Sequence, residues 1–256
     1  MTFPTEQAAA RHLFEEATSI LTAHDVDFVV VGGWVTLLFH SHRYGHPGTF
    51  DLDVLLSPSS IDDGTFEAAS ESLLHSDYLR AVKNRFQAHR ILDVAGERLV
   101  FHVDFLNERT PVNELALVGG KGRLHSIYTD AMRAVYVYDE HREYPDLPGL
   151  KFPSVHTYIA SKAAAALVKK RRRDAFDVYV SVLDQEPSEF RLRWQHLCAH
   201  DGLFSDANDA LVQAVDDGDA VRKISGVIED LGKESRHATI VPSEGEIRGT
   251  FAFLVR

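Results

Sequence analysis

The sequence has almost no cysteine and no long apolar run. Its single cysteine, Cys198, excludes a disulfide within the chain and suits a reducing cytoplasm. Because Cys198 lies in the run WQHLCAH, where we predict a helix, we interpret it as a small packed hydrophobe rather than a nucleophile. No apolar stretch approaches the roughly 20 residues that span a bilayer. The N-terminal run MTFPTEQAAARHLFEEA carries acidic residues where a signal peptide would be basic and then apolar. We therefore expect a cytoplasmic protein that does not enter a membrane.

The sequence also has fewer basic than acidic residues. Lysine and arginine number 27 against 38 aspartates and glutamates, and the formal net charge is -11. Proteins that wrap nucleic acid usually have the opposite balance, because neutralising phosphates supplies most of their non-specific affinity. The composition therefore argues against a general nucleic-acid binder, although a locally basic site is compatible with it.

The hydrophobic pattern divides the 256 residues into an α/β part and a mostly helical part. In the first part, helices are predicted at 5–24, 34–39 and 66–74, and strands at 28–31, 50–56, 86–92, 98–106 and 134–138. The strands 86–92 and 98–106 form a predicted hairpin about Ala95-Gly96. A proline-rich loop at 144–153 follows. Helices are then predicted at 154–170, from about 174, and at 188–200, 206–215 and 219–231, before a β-favouring tail at 240–256. This pattern predicts an α/β domain at 1–148 and a helical domain at 149–256.

Three aspartates stand in otherwise apolar strands. Asp51 and Asp53 are two residues apart in TFDLDVLL, so both carboxylates project from one face of the strand. Like charges in an apolar strand are costly unless a cation bridges them, and Mg²⁺ takes a few carboxylates together with water and substrate phosphates. Asp104, in LVFHVDFLN, is a third candidate ligand and a candidate general base. The alternative interpretation is that these acids mark the solvent face of an edge strand.

A glycine pair precedes the first two aspartates. In VVVGGWVTLLFH, Gly32 and Gly33 join a predicted strand to a predicted helix. Bare backbone N–H groups in such a turn can approach phosphate oxygens closely, whereas a tight turn without a ligand is the other interpretation. The full order, strand, Gly-Gly, helix, loop, DxD strand and a later strand aspartate, is much more specific than any one piece.

These residues resemble the nucleotidyltransferase superfamily, and the chain is most similar to the AbiEii-type nucleotidyltransferases, which include toxins of toxin–antitoxin systems. A second signature of that group is a helical lysine followed by a basic stretch and RDxxD. Here it corresponds to YIASKAAAALVKKRRRDAFDVYVSV, with Lys162, Arg173, Asp174 and Asp177. The resemblance covers roughly residues 28 to 185.

The resemblance implies a nucleotidyltransferase-fold mixed sheet with flanking helices, followed by a helical C-terminal domain. It implies an enzyme that moves NMP from an NTP with Mg²⁺ or Mn²⁺. The expected metal ligands are Asp51, Asp53 and Asp104, and the expected catalytic set adds Lys162 and Asp174 to them. The expected nucleotide-binding residues are Gly32, Gly33, Thr49, Lys162 and Arg173. RNA such as tRNA is the expected acceptor, gripped by the run Lys169 to Arg173, and an antitoxin protein is an expected partner.

Other functions remain open at this point. The start VVVGGW also resembles the small-molecule nucleotidyltransferases that act on aminoglycosides or lincosamides, and an acidic protein suits a cationic acceptor. A catalytically idle nucleotide-binding module, or an unrelated α/β protein with incidental acids, would also fit. The run GHPGTFDLD contains Thr49 but lacks the arginine that many relatives place just before DxD. The cluster His40, His42 and His46 lacks the spacing and fourth ligand of a zinc site, and GGKGR at 119–123 is interpreted as a turn.

Overall fold

The computed structural model describes residues 1–40, 43–107, 124, 126–129, 133–138, 141–144, 146–166, 171–234 and 240–255. The chain divides into two compact units, Met1–Trp34 with Gly48–Pro153, and Val35–Pro47 with Ser154–Arg256. The predicted boundary between residues 148 and 149 therefore falls five residues early, inside a strand. The second unit also includes residues 35–47, which the sequence prediction placed in the first domain.

The first unit is built on one mixed sheet. Its strands within the described residues are β1 (Thr2–Phe3), β2 (Phe28–Val31), β3 (Asp51–Leu56), β4 (Leu79–Arg80), β5 (Gln87–Val94), β6 (Glu97–Asn107), β7 (Ile127–Tyr128), β8 (His141–Tyr144) and β9 (Leu147–Pro153). Its helices there are α1 (Glu6–Ala23), α3 (Pro58–Asp62), α4 (Thr65–His75) and α5 (Ala134–Val137), while α2 (Gly33–Phe39) begins in this unit. The strand order is β1-β5-β6-β3-β2-β9-β8, with β4 beside β5 and β7 beside β6.

Around the aspartates, β3 and β6 alternate between buried apolar residues on one face and acids on the other. Leu52, Val54, Val103 and Phe105 are completely buried, whereas the aspartates between them lie on the opposite face. Helix α1 contacts β3, β5 and β6. Its apolar stripe, which includes Leu13, Phe14, Ala17 and Leu21, is buried, so burial of one helix face against the sheet drives this packing.

Helix α1 begins where the sequence allows a cap. The Thr5 side chain accepts a hydrogen bond from the Ala8 N–H, and Glu6 places a negative charge in the first helical turn. Both features stabilise a helix N-terminus, whose first N–H groups have no partner within the helix. The prediction of a helix at 5–24 is confirmed.

Two predicted segments of the first unit have a different structure. Residues 134–138 were predicted as a strand, but they contain the short helix α5, because an apolar run of this length has no period that separates the two states. Residues 144–153 were predicted as a loop because of their prolines, but they contain β9. Pairing between β8 and β9 is irregular after Glu143, so Pro148 and Gly149 lie in a bulge that needs no ladder hydrogen bond.

The second unit is helical. It contains α6 (Val155–Ala166), α7 (Arg172–Leu183), α8 (Pro187–His200), α9 (Gly202–Asp216), α10 (Asp219–Glu234) and α11 (Glu244–Val255). Helix α6 packs against α7 and α9, and α7 also packs against α10 and α11. The centre of α7 is buried on nearly all sides, from Asp174 to Val182, which explains why its sequence is apolar with few charges after the first turn.

The tail was predicted to contain strands, yet Glu244–Val255 is a helix. Its start is a capping box: Ser243 Oγ accepts from the Glu246 N–H, and Glu246 Oε2 accepts from the Ser243 N–H. The S-x-x-E pattern at 243–246 was thus a helix signal that outweighs the β propensity of the residues after it.

Nowhere in the described part of the chain is a helix long and apolar enough to cross a membrane.

The fold class predicted from the sequence is confirmed: a mixed α/β sheet with flanking helices is followed by a helical C-terminal region.

Candidate active site

The two aspartates of the DxD run lie at the start of β3, on one face of the sheet. Asp51 is exposed, Asp53 is half-buried, and the residues between and after them are buried. Asp53 is in register with Val31 of β2 on one side and with Asp104 of β6 on the other. The three predicted carboxylates therefore project from the same face of neighbouring strands.

Gly32 lets the Asp53 carboxylate lie directly against the turn after β2. A Cβ on Gly32 would be 1.9 Å from Asp53 Oδ2, and the backbone of Gly32 has φ +72°. Both the close approach and the left-handed conformation therefore require glycine at this position. Thus Gly32 has a structural role that involves the predicted metal ligand itself.

Gly33 has a similar relation to Thr49. A Cβ on Gly33 would be 2.8 Å from Thr49 Oγ1, and the Thr49 hydroxyl donates to the Asp51 carbonyl at 3.3 Å. Thr49 is buried. Gly33 and Thr49, predicted to bind nucleotide, are thus packed together beside the DxD strand, and their contact with a nucleotide stays a prediction.

Asp104 makes a specific contact on its other side. Gln87 of β5, its partner across the β5–β6 pair, donates from Nε2 to Asp104 Oδ1 at 2.7 Å. His89 Nε2 lies 3.0 Å from Gln87 Oε1 and donates to it, since the Gln87 amide nitrogen is already engaged with the carboxylate. The rings of His89 and His102 meet edge to face, with 4.6 Å between their centroids.

Burial shifts the pKa values of Asp104 and His89. The pKa of Asp104 is raised, mainly because burial disfavours the carboxylate and also because Asp51 carries the same charge; the Gln87 hydrogen bond acts in the opposite direction. The pKa of His89 is lowered, first by burial and then by the neighbouring His102. The first shift favours the neutral acid of Asp104, and the second favours the neutral ring of His89.

The residues fit a divalent cation at Asp51 and Asp53 better than at all three acids. Two carboxylates on one strand face, one of them exposed, suit Mg²⁺, which keeps several waters and takes phosphate oxygens. Among the described residues, however, no three His, Cys, Asp or Glu side chains are placed to hold one ion together. Asp104 is bonded to Gln87, and metal binding by Asp51, Asp53 and Asp104 stays a prediction.

The second signature forms a separate buried cluster in the helical unit. Lys162 Nζ is 2.7 Å from Asp174 Oδ1 and 3.0 Å from Asp177 Oδ2. Asp177 is only 2% exposed, and its other oxygen lies 3.3 Å from His46 Nε2. Tyr158, completely buried, lies under Lys162 with 5.7 Å between Nζ and the ring centroid. The expectation that Asp174 orients Lys162 agrees with this geometry, but contact of Lys162 with a triphosphate stays a prediction.

Mutual attraction keeps Lys162 and Asp177 charged. Burial alone would lower the pKa of Lys162, but the oxygens of Tyr158, Asp177 and Asp174 outweigh it and raise that pKa well above its usual range. Burial alone would raise the pKa of Asp177, yet Lys162 and His46 hold it below its usual range. Asp177 therefore contributes stability that is lost as the pH falls through its folded pKa, and Lys162 contributes stability that is lost as the pH rises through its own.

The basic run is only partly described, since Lys169 and Lys170 lie outside the described residues. Arg171 Nη1 is 3.5 Å from Asp174 Oδ2, and Arg172 Nη2 is 3.0 Å from Asp230 Oδ2. Arg173 is exposed at the start of α7. At least two of these arginines thus have acidic partners within the protein.

The loop histidines occupy different places. His40 Nδ1 is 3.3 Å from Asp184 Oδ2, and His46 contacts Asp177, while His42 lies outside the described residues, as does GGKGR at 119–123.

Sequence reasoning missed Gln87, His89 and His102. A signal was present, because a hairpin with a two-residue turn at Ala95-Gly96 pairs Gln87 with Asp104 and His89 with His102. It also missed His46 as a partner of Asp177, for which local sequence holds no signal, since the two residues are 131 positions apart.

No family model matches the sequence, and no curated protein matches it either. Solved structures similar to this chain include an antigenic nucleotidyltransferase-like protein from Paracoccidioides brasiliensis, at 16% identity and TM-score 0.52, over 89% of this chain and 99% of that one. JHP933 from Helicobacter pylori is similar at 12% identity and TM-score 0.41, over 94% of this chain and 87% of that one. The first similarity establishes a nucleotidyltransferase-like fold, but no substrate and no acceptor. The second similarity is too low to support an argument.

Proposed function

We propose that this protein is a nucleotidyltransferase that moves NMP from an NTP to a hydroxyl group of an acceptor. One observation carries the proposal: the Asp53 carboxylate lies in a space that only a glycine at position 32 leaves open, with Asp51 on the same strand face. This arrangement supports a preformed pair of carboxylates for a divalent cation. The nucleotidyltransferase-like fold is consistent with it.

Asp51 and Asp53 would hold Mg²⁺ or Mn²⁺. Such an ion, when bound, neutralises phosphate charge and polarises the phosphoryl group that is attacked. With an ion bound, the two carboxylates would help to orient the nucleotide. They need no protonation change of their own, and Asn substitutions would remove their charge while nearly preserving their shape.

Asp104 can accept a proton next to that pair. The acceptor hydroxyl gives its proton to the Asp104 carboxylate as its oxygen forms a bond to the α-phosphorus of the NTP. The bond from that phosphorus to the bridging oxygen breaks, and pyrophosphate leaves with the electron pair. A general base with a raised pKa is better matched to this proton than an ordinary aspartate.

RNA such as tRNA is the acceptor we favour, by analogy with the AbiEii-type toxins that the two sequence signatures resemble. The exposed Arg171 to Arg173 at the start of α7 would contact its phosphates, and an antitoxin protein would then be a partner. Lys162 and Arg173 would contribute to nucleotide binding. The second candidate is a small hydroxylated cation such as an aminoglycoside, which the net charge of -11 favours.

The test is incubation with each of the four α-³²P-labelled NTPs and Mg²⁺, with total tRNA or a panel of aminoglycosides and lincosamides as acceptor. We expect label on tRNA. Label on a drug would move the protein to the small-molecule class, and no NTP binding at all would refute the proposal. Asp51→Asn and Asp53→Asn should each abolish transfer without changing the fold.

The matched control is Asp93→Asn, another strand acid of the same sheet, whose Oδ1 accepts a hydrogen bond from the Gly96 N–H that an asparagine oxygen can also accept. It should keep wild-type turnover. Normal turnover by Asp51→Asn or Asp53→Asn would show that the carboxylate pair is not the site.

A further inference from the structure

One face of the sheet presents two rows of polar side chains that cross its strands. The first row contains Asp53 of β3, Asp104 of β6 and Gln87 of β5, each in register with the next. The second contains Asp51, His102 and His89 in the same order. The rows are two residues apart along each strand, so all six side chains project from the same face.

The donor and the acceptor of each hydrogen bond on this face can be assigned. His89 donates to Gln87 Oε1 at 3.0 Å, and Gln87 donates through Nε2 to Asp104 Oδ1 at 2.7 Å. Because an ionised carboxylate can only accept, the amide nitrogen is the atom that points at Asp104, and the amide oxygen is left to accept from His89. A flipped amide would place Oε1 against the Asp104 carboxylate, and the hydrogen bond to Asp104 would be lost.

We infer that Gln87 is a positioning residue which holds Asp104 by one oxygen and reserves the other for the acceptor hydroxyl, so that Asp104 is not a ligand of the divalent ion. This inference rests on the proposed function. It differs from the three-ligand expectation derived from the sequence, and it agrees with the lack of a three-acid group among the residues that the structure describes. The ion would then be held by Asp51 and Asp53, and His89 supports the Gln87 side chain through a second hydrogen bond at its amide oxygen.

The effect of removing Gln87 on metal affinity depends on whether Asp104 is a metal ligand. If Gln87 supported Asp104 as a metal ligand, its removal would weaken metal binding, because partners of metal ligands typically contribute about 10- to 100-fold to affinity. If Gln87 keeps Asp104 away from the metal, its removal leaves metal affinity equal or makes it tighter. Turnover falls in both cases, so metal binding is the measurement that separates them.

The experiment is a titration of the full chain with Mn²⁺ alone, followed by electron paramagnetic resonance, together with steady-state transfer. In Gln87→Leu we expect Mn²⁺ affinity equal to or above that of the wild type, with kcat reduced about 10- to 100-fold and KM for the NTP unchanged, because misplacing a reacting group by about 1 Å costs on that order. Asp104→Asn should also lower kcat, with Mn²⁺ affinity within about threefold of the wild type, which is less than the roughly 10- to 100-fold loss expected for a ligand partner. Asp53→Asn should abolish Mn²⁺ binding.

Two further variants test the role of His89 and provide a control on the same strand. His89→Phe removes only the donor to Gln87 Oε1, and we expect a smaller fall in kcat with Mn²⁺ affinity unchanged; it also serves if Gln87→Leu does not fold. Ile91→Ala changes an exposed side chain on the same strand face, 38% exposed, and should alter neither measurement.

Several outcomes would overturn the inference. If Asp104→Asn weakens Mn²⁺ binding as much as Asp53→Asn does, Asp104 is a ligand of the ion. The same conclusion follows if Gln87→Leu weakens Mn²⁺ binding about tenfold. Full turnover in both Gln87→Leu and His89→Phe would remove the positioning role. If the wild type transfers no nucleotide but binds Mn²⁺, the proposed function fails on its own, and the Mn²⁺ titrations of the variants still decide whether Asp104 is a ligand.

Discussion

Substituting Gly32 with alanine tests the geometry on which the site depends. The new Cβ would be 1.9 Å from Asp53 Oδ2, so the carboxylate must retreat by about 1.5 Å or more to reach ordinary contact distance. The left-handed backbone, with φ +72°, adds about 1–2 kcal/mol of strain. Two effects of different size should result, a modest loss of stability and a severe loss of function.

The stability loss can be scaled from the strain. For a chain of this size, 1 kcal/mol lowers the Tm by about 2–4 °C, so the strain alone lowers it by about 2–8 °C. Displacing a ligand by more than 1 Å is expected to reduce transfer about 100-fold or more and to weaken Mn²⁺ binding. Thermal unfolding followed by circular dichroism, Mn²⁺ titration and the labelled-NTP assay measure the three quantities.

Gly64→Ala is the matched control. Gly64 has φ +83°, and a Cβ there would meet nothing within 4 Å, so it carries the strain without the clash. We expect a similar decrease in Tm with wild-type Mn²⁺ affinity and turnover. A Gly32→Ala protein that keeps both wild-type Mn²⁺ affinity and wild-type turnover would refute the assignment of Asp53 as a ligand held by this turn.

Two other predictions concern buried groups of the helical unit. Lys162→Met leaves Asp174 and Asp177 buried without their cation and should cost about 3–5 kcal/mol at neutral pH. This difference should shrink below about pH 4 and above about pH 10. Lys233→Met, in an exposed ion pair, should change stability far less. Urea unfolding across pH checks this, and a cost near zero for Lys162→Met would contradict it. Burial raises the pKa of Cys198 to about 11, so iodoacetamide at pH 8 should modify the native thiol far more slowly than the urea-unfolded one; equal rates would contradict it.

Local patterns predicted most of the first unit and the core of its site. The alternation in FDLDVLL predicts that Asp51 and Asp53 share a strand face, and the hairpin turn at Ala95-Gly96 follows from the two apolar runs around it. Both Ala95 and Gly96 have positive φ, as a two-residue hairpin turn of this kind requires. Applying the hairpin register to the sequence would also have placed Gln87 beside Asp104, so that contact was predictable although it was missed.

Long-range contacts explain what the sequence did not show. The parallel pairing of β3 with β6 joins residues about 50 positions apart, and nothing in either strand sets its register. Residues 35–47 belong to the helical unit because of contacts such as His46 with Asp177, and Thr36 Oγ1 with Tyr158 OH at 2.6 Å. No local period marks such a change of unit, so the predicted boundary follows composition and fails at this segment.

The distribution of charge supports a cation from solution as part of the site. A triphosphate needs positive charge around it, and the resemblance assigned that task to Lys162 and the arginines that follow. In the described residues, Lys162 is bound by two aspartates, and Arg171 and Arg172 contact acids of their own. Their charge is therefore already partly neutralised within the protein. Under the proposed function, Asp51 and Asp53 would attract a divalent ion, and that ion would bring to the phosphates the positive charge that this acidic chain largely lacks.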